Sequence, residues 1–368
     1  MMRRVLRYGN TTGACATAAA KAALITLLSK PVDRVGIPSP LGIRFEILIK
    51  ECKKLSDDTA IAYVIKDAGE DVDVTNKMEI SATVKLTDDD GQIIIKGGKG
   101  IGTVTKAGLQ VPIGESAINP VPRKMIEAGI REVLPPGKGV EVVISAPEGE
   151  KVAEKTQNSK LGIVGGVSIL GTTGVVRPLS MSAYRRSLVP QIDVALAQNY
   201  ECIFLVPGNI GEKLAKQIFK VPEDAIVQTG DFMGYMLEKA VEKGAKEIVI
   251  FGHPGKLVKL AAGIFNTHHK MGDARMEVIA AYAGALGADT ELIKAIIQSN
   301  TTEETIKLLE QAELLQPTFD NIAEKVCSRS LERVKNKAKI KVIIVSMDGT
   351  ILGTNQDARS MKKWVSSS

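Results

Sequence analysis

The three histidines of this chain, His253, His268 and His269, all lie in one short segment. An imidazole gains or loses a proton near neutral pH, which suits it to acid–base work or to contact with an anionic substrate. Metal binding needs at least three converging ligands. His253, His268 and Asp273 could supply them, but the HExxH spacing of a zinc-binding helix is absent. The segment therefore favours substrate contact or acid–base chemistry over a metal site, beside the ordinary alternative of an exposed or internally bonded histidine.

The chain around His253 has the layout of an anion site. An apolar run at 247–251 predicts a buried strand, and a Gly-His-Pro-Gly turn leads from it into a helix predicted at 256–265. The first N–H groups of a helix have no partner within the helix, so its start favours an anion. Gly252, His253 and Gly255 are the candidate ligand contacts in this turn.

Two similar loops precede this turn in the sequence. Gly208, Asn209 and Gly211 follow one apolar run, and Asp231 follows another. Successive strand–loop–helix units predict a parallel sheet with crossover helices. Because the C-terminal ends of parallel strands lie at one edge of a sheet, and ligands bind there, the three loops predict one site.

Hydroxyls and a thiol lie at another predicted helix start, near the amino terminus. Thr11, Thr12 and Cys15 open an alanine-rich helix predicted at 11–29. A helix start lowers the pKa of a cysteine and attracts anions, so Thr11 and Thr12 are candidates for ligand contact. Cys15 could be a nucleophile, although no histidine is near it in sequence and a cysteine in an alanine-rich helix is usually a packed residue.

A run of four carboxylates lies in a turn predicted at 67–75. The spacing does not match the calcium loop of an EF-hand. The turn is either solvated, bound to a ligand, or used to order a neighbouring basic loop.

Cations accompany several glycine-rich segments. Lys99 and Lys106 lie in a glycine-dense stretch that lacks the residue order of a P-loop, which predicts a mobile basic loop that closes over an acidic ligand. Arg123 lies in the first turn of a helix predicted at 122–133. Arg177 ends a glycine-rich stretch and could bind a carboxylate through two hydrogen bonds.

Two patterns divide the chain into domains. Short alternating segments between about 34 and 96 predict a largely antiparallel sheet, flanked by helices, in an α+β domain at 1–188. The later strand–helix alternation predicts a three-layer α/β/α, Rossmann-like domain with a mainly parallel sheet at 189–353, which ends in a hairpin. Residues 354–368 are predicted to form a flexible tail.

Composition is that of an ordinary soluble globular protein, with 44% hydrophobic and 24% charged residues. The formal net charge is +6, but Lys and Arg alternate with Asp and Glu, which argues against nucleic acid and suits a polyanionic small substrate. The four cysteines are widely spaced and indicate neither a disulfide framework nor zinc, so a reducing cytoplasm is expected. The amino terminus makes a poor signal peptide, and no apolar run is long enough to span a bilayer.

Taken together, these motifs resemble the cobalt-precorrin-5B C(1)-methyltransferase family of the CbiD type, which acts in anaerobic cobalamin biosynthesis. The resembling segments follow one another along the chain, at 9–16, 67–75, 108–123, 169–180, 208–211 and 252–277. The resemblance implies transfer of a methyl group from S-adenosylmethionine to C-1 of cobalt-precorrin-5B, giving cobalt-precorrin-6A. It also implies that cobalt travels with the substrate and that the protein's own side chains bind no metal.

This function would give the scattered cations and loops a common purpose. The expected contacts with the polycarboxylate macrocycle are Thr11, Thr12, Lys99, Lys106, Arg123, Arg177, Lys256 and Arg275. S-adenosylmethionine is expected in the C-terminal domain, against Gly208, Asn209, Gly211, Gly252, His253 and Gly255, with Asp231 at its ribose hydroxyls. His268 is the expected catalytic residue, as a proton acceptor or a carboxylate contact. Methyl transfer from a sulfonium needs mainly alignment and exclusion of water.

Two other functions stay open at this point. Glycine loops on a parallel sheet also suit a nucleotide, so a nucleotide-dependent reductase of a corrin intermediate is one alternative. A non-catalytic carrier that holds an unstable corrinoid for a neighbouring cobalamin-pathway enzyme is the other. Binding of S-adenosylmethionine separates the methyltransferase from the reductase, and a carrier would bind a tetrapyrrole without turnover.

Overall fold

The computed structural model describes residues 6–89, 91–200 and 202–361. The chain forms two compact units that divide between Ser180 and Met181. The predicted boundary, 188/189, lies later, because the helix Met181–Leu188 packs against helices of the second unit. Within the described ranges no helix is both long and apolar enough to cross a membrane.

The first unit has an α+β fold. Its helices are α1 (Thr12–Leu28), α2 (Pro120–Arg131) and α3 (Gly149–Ala153). Its strands are β1 (Gly9–Asn10), β2 (Arg34–Pro38), β3 (Arg44–Leu48), β4 (Glu51–Lys54), β5 (Thr59–Ile65), β6 (Glu79–Thr87), β7 (Ile93–Gly97), β8 (Thr103–Val104), β9 (Gly139–Ser145), β10 (Ile163–Val164) and β11 (Val175–Val176). The main sheet has the order β4-β5-β6-β9-β7 and is antiparallel except where β7 runs parallel to β9. The predicted largely antiparallel sheet is confirmed.

Helix α1 lies at the centre of the first unit's core. All of its residues except Ile25 and Leu28 are buried, and it packs against α2, β5 and β6. Its alanines allow close approach on every side, since they add little bulk and favour the helix. Lys21 is buried with them, and its Nζ donates to the carbonyl of Gly36 at 2.8 Å and pairs with Glu132.

The second unit is a three-layer α/β/α fold. Its helices are α4 (Met181–Leu188), α5 (Pro190–Ala197), α6 (Asn209–Phe219), α7 (Met233–Glu242), α8 (Pro254–Ala261), α9 (Arg275–Ala285), α10 (Thr290–Gln298), α11 (Thr302–Gln311) and α12 (Leu315–Arg333). Its strands are β12 (Cys202–Val206), β13 (Ile226–Gln228), β14 (Glu247–Gly252), β15 (Lys339–Val345) and β16 (Ile351–Thr354). The sheet order is β13-β12-β14-β15-β16, with only β16 antiparallel to its neighbour. The predicted mainly parallel sheet and its terminal hairpin are confirmed.

Both faces of this sheet are covered. Ile203 and Ile250 belong to a large core on one face, together with residues of α7, α8, α9 and α12. Phe204 and Phe251 belong to a smaller core on the other face, where α6 packs. Because side chains alternate along a strand, the continuous apolar runs of β12 and β14 serve two helical layers at once.

Two predicted elements are wrong in their extent. The helix predicted at 256–265 is α8, which begins at Pro254, a favoured first residue, and ends before Gly263, whose φ is +82°. Part of the predicted tail is ordered: Asn355 is buried, and its Oδ1 accepts a hydrogen bond at 2.8 Å from the N–H of Val342 in β15. Residues 362–368 lie outside the described residues.

Candidate functional site

The structure brings the three predicted loops of the second unit together at the C-terminal edge of the sheet. The N–H of Thr229, after β13, donates to the carbonyl of Val206 at the end of β12, at 2.8 Å. The N–H of Thr267 donates to the carbonyl of Asp231, also at 2.8 Å. A Cβ atom at Gly252 would lie 3.0 Å from Cδ of Pro207, so these loops pack on one another.

The start of α6 is open. None of the described residues accepts a hydrogen bond from the N–H groups of Asn209 or Ile210, and Gly208 before them provides no side-chain cap. A Cβ atom at Gly208 would have no neighbour within 4 Å. Unpaired N–H groups and the helix dipole make this start a favourable place for an anion. Gly211 has a packing role instead, since a Cβ there would lie 3.1 Å from Cβ of Val206.

The side chain of Asn209 is fixed beside this start. Its Oδ1 accepts a hydrogen bond from Nε2 of Gln228 at 2.7 Å, and the same nitrogen donates to Glu212 at 2.6 Å. Gln228 ends β13, so it links the loops that follow two neighbouring strands. Asn209 was predicted from its glycine-rich loop, whereas Gln228 was not singled out.

The start of α8, predicted as the anion site, is closed. Nδ1 of His253 accepts the N–H of Gly255 at 3.1 Å, and Pro254 has no N–H to offer. Because Nδ1 is an acceptor, the proton of the neutral ring is on Nε2, which contacts the carboxylate of Glu303. A side chain at Gly255 would press on the ring, since its Cβ would lie 3.1 Å from Nδ1. His253 therefore caps a helix in this structure.

Asp231 and Lys256 form an ion pair. Lys256 Nζ donates to Oδ1 of Asp231 at 2.6 Å, and the hydroxyl of Thr267 donates to the same oxygen at 3.2 Å. Burial raises the pKa of Asp231. The two donors and the positive charge of Lys256 lower that pKa by more than burial raises it, so the pKa lies below its ordinary value. Oδ2 of Asp231 accepts no hydrogen bond from the described residues and is available to a ligand hydroxyl.

His268 lies directly after Thr267, next to this ion pair. Its Nδ1 accepts the N–H of Lys270 at 3.2 Å, and its ring stacks on that of His269 with centroids 4.3 Å apart. Nε2 has no hydrogen-bond partner in the parts of the chain that the structure describes. The position suits a side chain that contacts a substrate.

A buried lysine holds the loop that carries His268. Lys259 is 3% exposed, and its Nζ donates to the carbonyl of Gly272 at 3.0 Å and to that of Thr267 at 3.4 Å. Burial lowers its pKa. The sequence contained a signal for this residue, namely a lysine inside the apolar stretch of α8, but its partners could be identified only from the fold.

Arg275, expected to bind substrate, already has a carboxylate partner. Its Nε donates to Oδ1 of Asp273 at 2.8 Å and its Nη2 to Oδ2 at 2.6 Å. The hydrogen bonds from Arg275 lower the pKa of Asp273 to about 2. A substrate carboxylate at Arg275 would have to compete with Asp273.

In the first unit, Thr11 and Thr12 are buried, and their hydroxyls bond within the protein. The Thr11 hydroxyl accepts the N–H of Ala14 at 3.1 Å, as an N-cap of α1. The Thr12 hydroxyl accepts the N–H of Leu170 at 2.8 Å. The carbonyl of Leu170 in turn accepts the N–H of Gly13 at 3.0 Å. This geometry closes the start of α1 and does not support the predicted ligand contacts.

Cys15 is fully buried, and burial raises its pKa to about 12. A thiol with such a pKa stays protonated at neutral pH and is a poor nucleophile. The packing role is therefore the one that the structure supports.

The prediction of a mobile basic loop at 97–106 is wrong, because the backbone of this segment packs closely against the backbone of other segments. A Cβ at Gly100 would lie 1.8 Å from the carbonyl oxygen of Ala146, and one at Gly102 would lie 2.8 Å from that of Gly166. Lys99 projects from this packed segment as an exposed side chain. Lys106 is partly buried, with its methylene groups against Gly162.

The two remaining predicted cations of the first unit differ. The guanidinium of Arg123 donates to the carbonyls of Ile118 at 3.0 Å and Ile95 at 3.1 Å and pairs with Glu115 at 3.2 Å, which is a structural role. Arg177 is exposed, and its side chain has no partner in 6–89, 91–200 and 202–361.

The acidic turn at 67–75 mainly holds neighbouring segments of the same chain in place. Arg7 donates to Oδ1 of Asp67 at 2.9 Å, and Lys66, which is buried, donates to Oδ2 of Asp73 at 2.7 Å. Oδ1 of Asp71 accepts the N–H of Leu179 at 2.9 Å. Of the interpretations that the sequence left open, the ordering of a neighbouring basic segment fits this geometry.

Known proteins are similar to the chain over nearly its whole length. A protein of Methanocaldococcus jannaschii named cobalt-precorrin-5B C(1)-methyltransferase is 50% identical over 353 residues, which cover 96% of this chain and 97% of that protein.

The chain belongs to the CbiD family.

The family models and a second relative agree with this membership. The family models for CbiD and for the CbiD C-terminal domain match residues 1–178 and 266–356. A protein of Alkaliphilus metalliredigens with the same name as the first relative is 43% identical, covering 94% of this chain and 92% of its own length. A crystal structure of the cobalamin biosynthesis protein CbiD from Archaeoglobus fulgidus is 31% identical, covering 74% of this chain and 84% of that one, with a TM-score of 0.39. The family predicted from the motifs is confirmed.

Proposed function

We propose that this chain methylates C-1 of cobalt-precorrin-5B, with S-adenosylmethionine as the methyl donor, and releases cobalt-precorrin-6A. The observation that carries the proposal is the identity of 50% and 43%, over more than nine-tenths of the chain, to two proteins named cobalt-precorrin-5B C(1)-methyltransferase. A cytoplasmic location fits the four cysteines, none of which forms a disulfide.

The second unit offers a suitable site for the donor. The open start of α6, behind Gly208, suits the methionine carboxylate, because two N–H groups there have no acceptor among the described residues. Oδ2 of Asp231 suits the ribose hydroxyls. Gly211, Gly252 and Gly255 contribute by letting the loops pack closely rather than by contact.

The macrocycle carries carboxylates, and the proposed contacts are cations whose side chains remain available. In the first unit these are Lys99 and Arg177, whose side chains are exposed. Lys106, seven residues after Lys99, is a further proposed contact, although it is partly buried. In the second unit Lys256 is already paired with Asp231 at 2.6 Å, but its ammonium group is partly exposed and keeps further N–H donors for a substrate carboxylate. Thr11, Thr12 and Arg123 are left out, since their polar groups bond within the protein.

The donor supplies an electrophilic methyl group, which forms a bond to C-1 while the sulfur keeps the electron pair of the bond that breaks. The protein's contribution is to align the two reactants and to exclude water. His268 serves the substrate as a proton acceptor or as a contact for one of its carboxylates. Lys259 holds the His268 loop in place by hydrogen bonds to the carbonyls of Thr267 and Gly272.

The decisive experiment is an anaerobic incubation of the purified protein with cobalt-precorrin-5B and methyl-labelled S-adenosylmethionine. We expect the label at C-1 of the corrinoid, read by mass spectrometry and NMR. Binding of both ligands without label would favour the carrier or a missing partner enzyme. No binding of S-adenosylmethionine would favour the nucleotide-dependent reductase.

Two variants test the residue assignments. Asp231→Ala should weaken S-adenosylmethionine binding, and unchanged affinity would remove Asp231 from the site. His268→Ala should lower the rate of methyl transfer, with His269→Ala as the matched control on the neighbouring ring. An undiminished rate in His268→Ala would end the assignment of His268.

A further inference from the structure

Leu179 adopts a backbone conformation that leucine rarely takes. Its φ is +52°, in the left-handed region, where the Cβ atom of any residue except glycine crowds the backbone. Its side chain is 63% exposed, so apolar packing does not compensate for this strain. Such conformations persist where neighbouring groups enforce them, and they often occur at functional positions.

A carboxylate from a distant part of the first unit enforces it. The N–H of Leu179 donates to Oδ1 of Asp71 at 2.9 Å. The turn that carries Asp71 is itself fixed, because Lys66 pairs with Asp73 at 2.7 Å and the N–H of Arg7 donates to Glu70 at 2.8 Å.

Arg177 lies between this hydrogen bond and a second fixed point. Before it, Val175 and Val176 form β11 and pair with Asn10 and Gly9 of β1. After it, Pro178 is buried and has a restricted φ. The backbone of Arg177 is thus held on both sides while its side chain is exposed, which is a preorganised arrangement for an anion.

The other arginines expected at the site are used differently. Arg123 bonds to two backbone carbonyls, and Arg275 forms two hydrogen bonds with Asp273. Leu179, two residues after Arg177, is 63% exposed, and Val72, which follows Asp71 in the sequence, is 88% exposed. An exposed cation close in sequence to an exposed apolar side chain suits a ring whose rim carries carboxylates.

We propose that Asp71 is a positioning residue that holds Leu179 in the left-handed conformation and so presents Arg177 to a carboxylate of the macrocycle. This inference rests on the proposed function. The strained conformation of Leu179 is maintained because it sets the position of the neighbouring Arg177.

The positioning role of Asp71 can be tested by a second substitution that restores the substrate affinity lost in Asp71→Ala. Asp71→Ala removes the acceptor, so we expect the KM for cobalt-precorrin-5B to rise about tenfold, with kcat little changed. Asp71→Asn keeps an acceptor oxygen and should stay within about threefold of the wild type. In Asp71→Ala/Leu179→Gly, glycine adopts the positive φ without strain, and most of the lost affinity should return. Arg177→Ala should raise KM by itself and should abolish the effect of Asp71→Ala.

Asp57→Ala is the matched control, since Asp57 is an exposed acidic residue of the same unit with no side-chain bond to the described residues. A second readout does not depend on activity: amide hydrogen exchange at 175–180 should accelerate in Asp71→Ala and slow again in the double variant. An unchanged KM in a folded Asp71→Ala protein would overturn the proposal, and so would a double variant that is no better than Asp71→Ala.

If Asp71→Ala does not fold, Arg177→Ala provides the test. A raised KM for cobalt-precorrin-5B in Arg177→Ala would support the proposal, and a KM equal to that of the wild type would overturn it. Failure of the proposed function has a different signature. In that case the wild-type protein itself neither binds nor methylates cobalt-precorrin-5B.

Discussion

Helix α1 of the first unit and helix α6 of the second unit begin in similar sequence surroundings but have different starts. At α1, the Thr11 hydroxyl and the Leu170 carbonyl accept the first N–H groups. At α6, the N–H groups of Asn209 and Ile210 have no acceptor in the described parts of the chain.

The difference comes from what lies over each start. A loop of the first unit, residues 168–174, covers α1 and supplies the acceptor, whereas Gly208 has open space around it. A glycine and a polar side chain at a helix start can thus serve either to close a fold or to bind a ligand. Only tertiary structure distinguishes these two uses.

The largest expected contrast is between two glycine substitutions. In Gly171→Ala, the new Cβ would lie 2.5 Å from Cβ of Thr11 at a φ of +133°, so the free energy of unfolding should fall by about 3 kcal/mol. Gly208→Ala should change it by less than about 0.5 kcal/mol, because nothing lies within 4 Å. Urea denaturation of both variants measures the contrast, and equal losses would show that the two starts are equally closed.

A second contrast concerns the polar side chains at the two starts. Thr12→Val removes the acceptor of the Leu170 N–H and the donor of a buried hydrogen bond to the carbonyl of Ser168, so it should cost about 1–3 kcal/mol, while Thr12→Ser should cost less. Asn209→Ala removes a partly exposed bond to Gln228 and should cost less than about 1 kcal/mol. Thermal unfolding with Thr12→Ser as the reference gives the comparison, which fails if Thr12→Val is as stable as Thr12→Ser.

For the affinity of S-adenosylhomocysteine, substitutions at the start of α6 should have a larger effect than substitutions at the start of α1. Gly208→Val places a branched side chain at the proposed carboxylate site and should weaken S-adenosylhomocysteine binding about tenfold, or about 1.4 kcal/mol. Thr12→Ser should leave that affinity unchanged. Isothermal titration calorimetry distinguishes these results, and full affinity in Gly208→Val would move the donor away from α6.

The smallest expected effect is a pH dependence at Asp231. Its ordinary pKa is 3.8, and in the folded chain the bonds from Lys256 and Thr267 outweigh burial and lower it. A lowered carboxylate pKa contributes stability that is fully present above the ordinary value and is lost as pH falls through the folded pKa. Asp231→Asn should therefore flatten the loss of stability below about pH 4. Denaturation at several pH values between about 2 and 6 checks this, and an unchanged slope would contradict it.

Periodicity alone could predict the sheets. The alternating strands of the first unit and the continuous apolar runs of β12 and β14 were visible because burial on one or both faces of a sheet sets those patterns. The end of α8 was misplaced, since Gly263 stops the helix earlier than the apolar pattern suggests.

The site was only partly accessible from the sequence. Asp231 and His268 could be identified as chemical groups in loops at one edge of the sheet, but the partners of His253 and Lys259 could not. Glu303 lies 50 residues from His253, and no local pattern connects them. The roles of Thr12 and Gly100 were also hidden, because each depends on a segment that arrives from elsewhere in the chain.

The pairing of β1 with β11 has a consequence for the order in which the chain folds during synthesis. The register joins Gly9 to Val176, and the loop that covers α1 contributes the carbonyls of Leu170 and Gly174. The first unit thus cannot complete its structure until residue 176 has left the ribosome. Until then, the first N–H groups of α1 lack the acceptors that this loop supplies, although the rest of the helix can already pack against α2, β5 and β6.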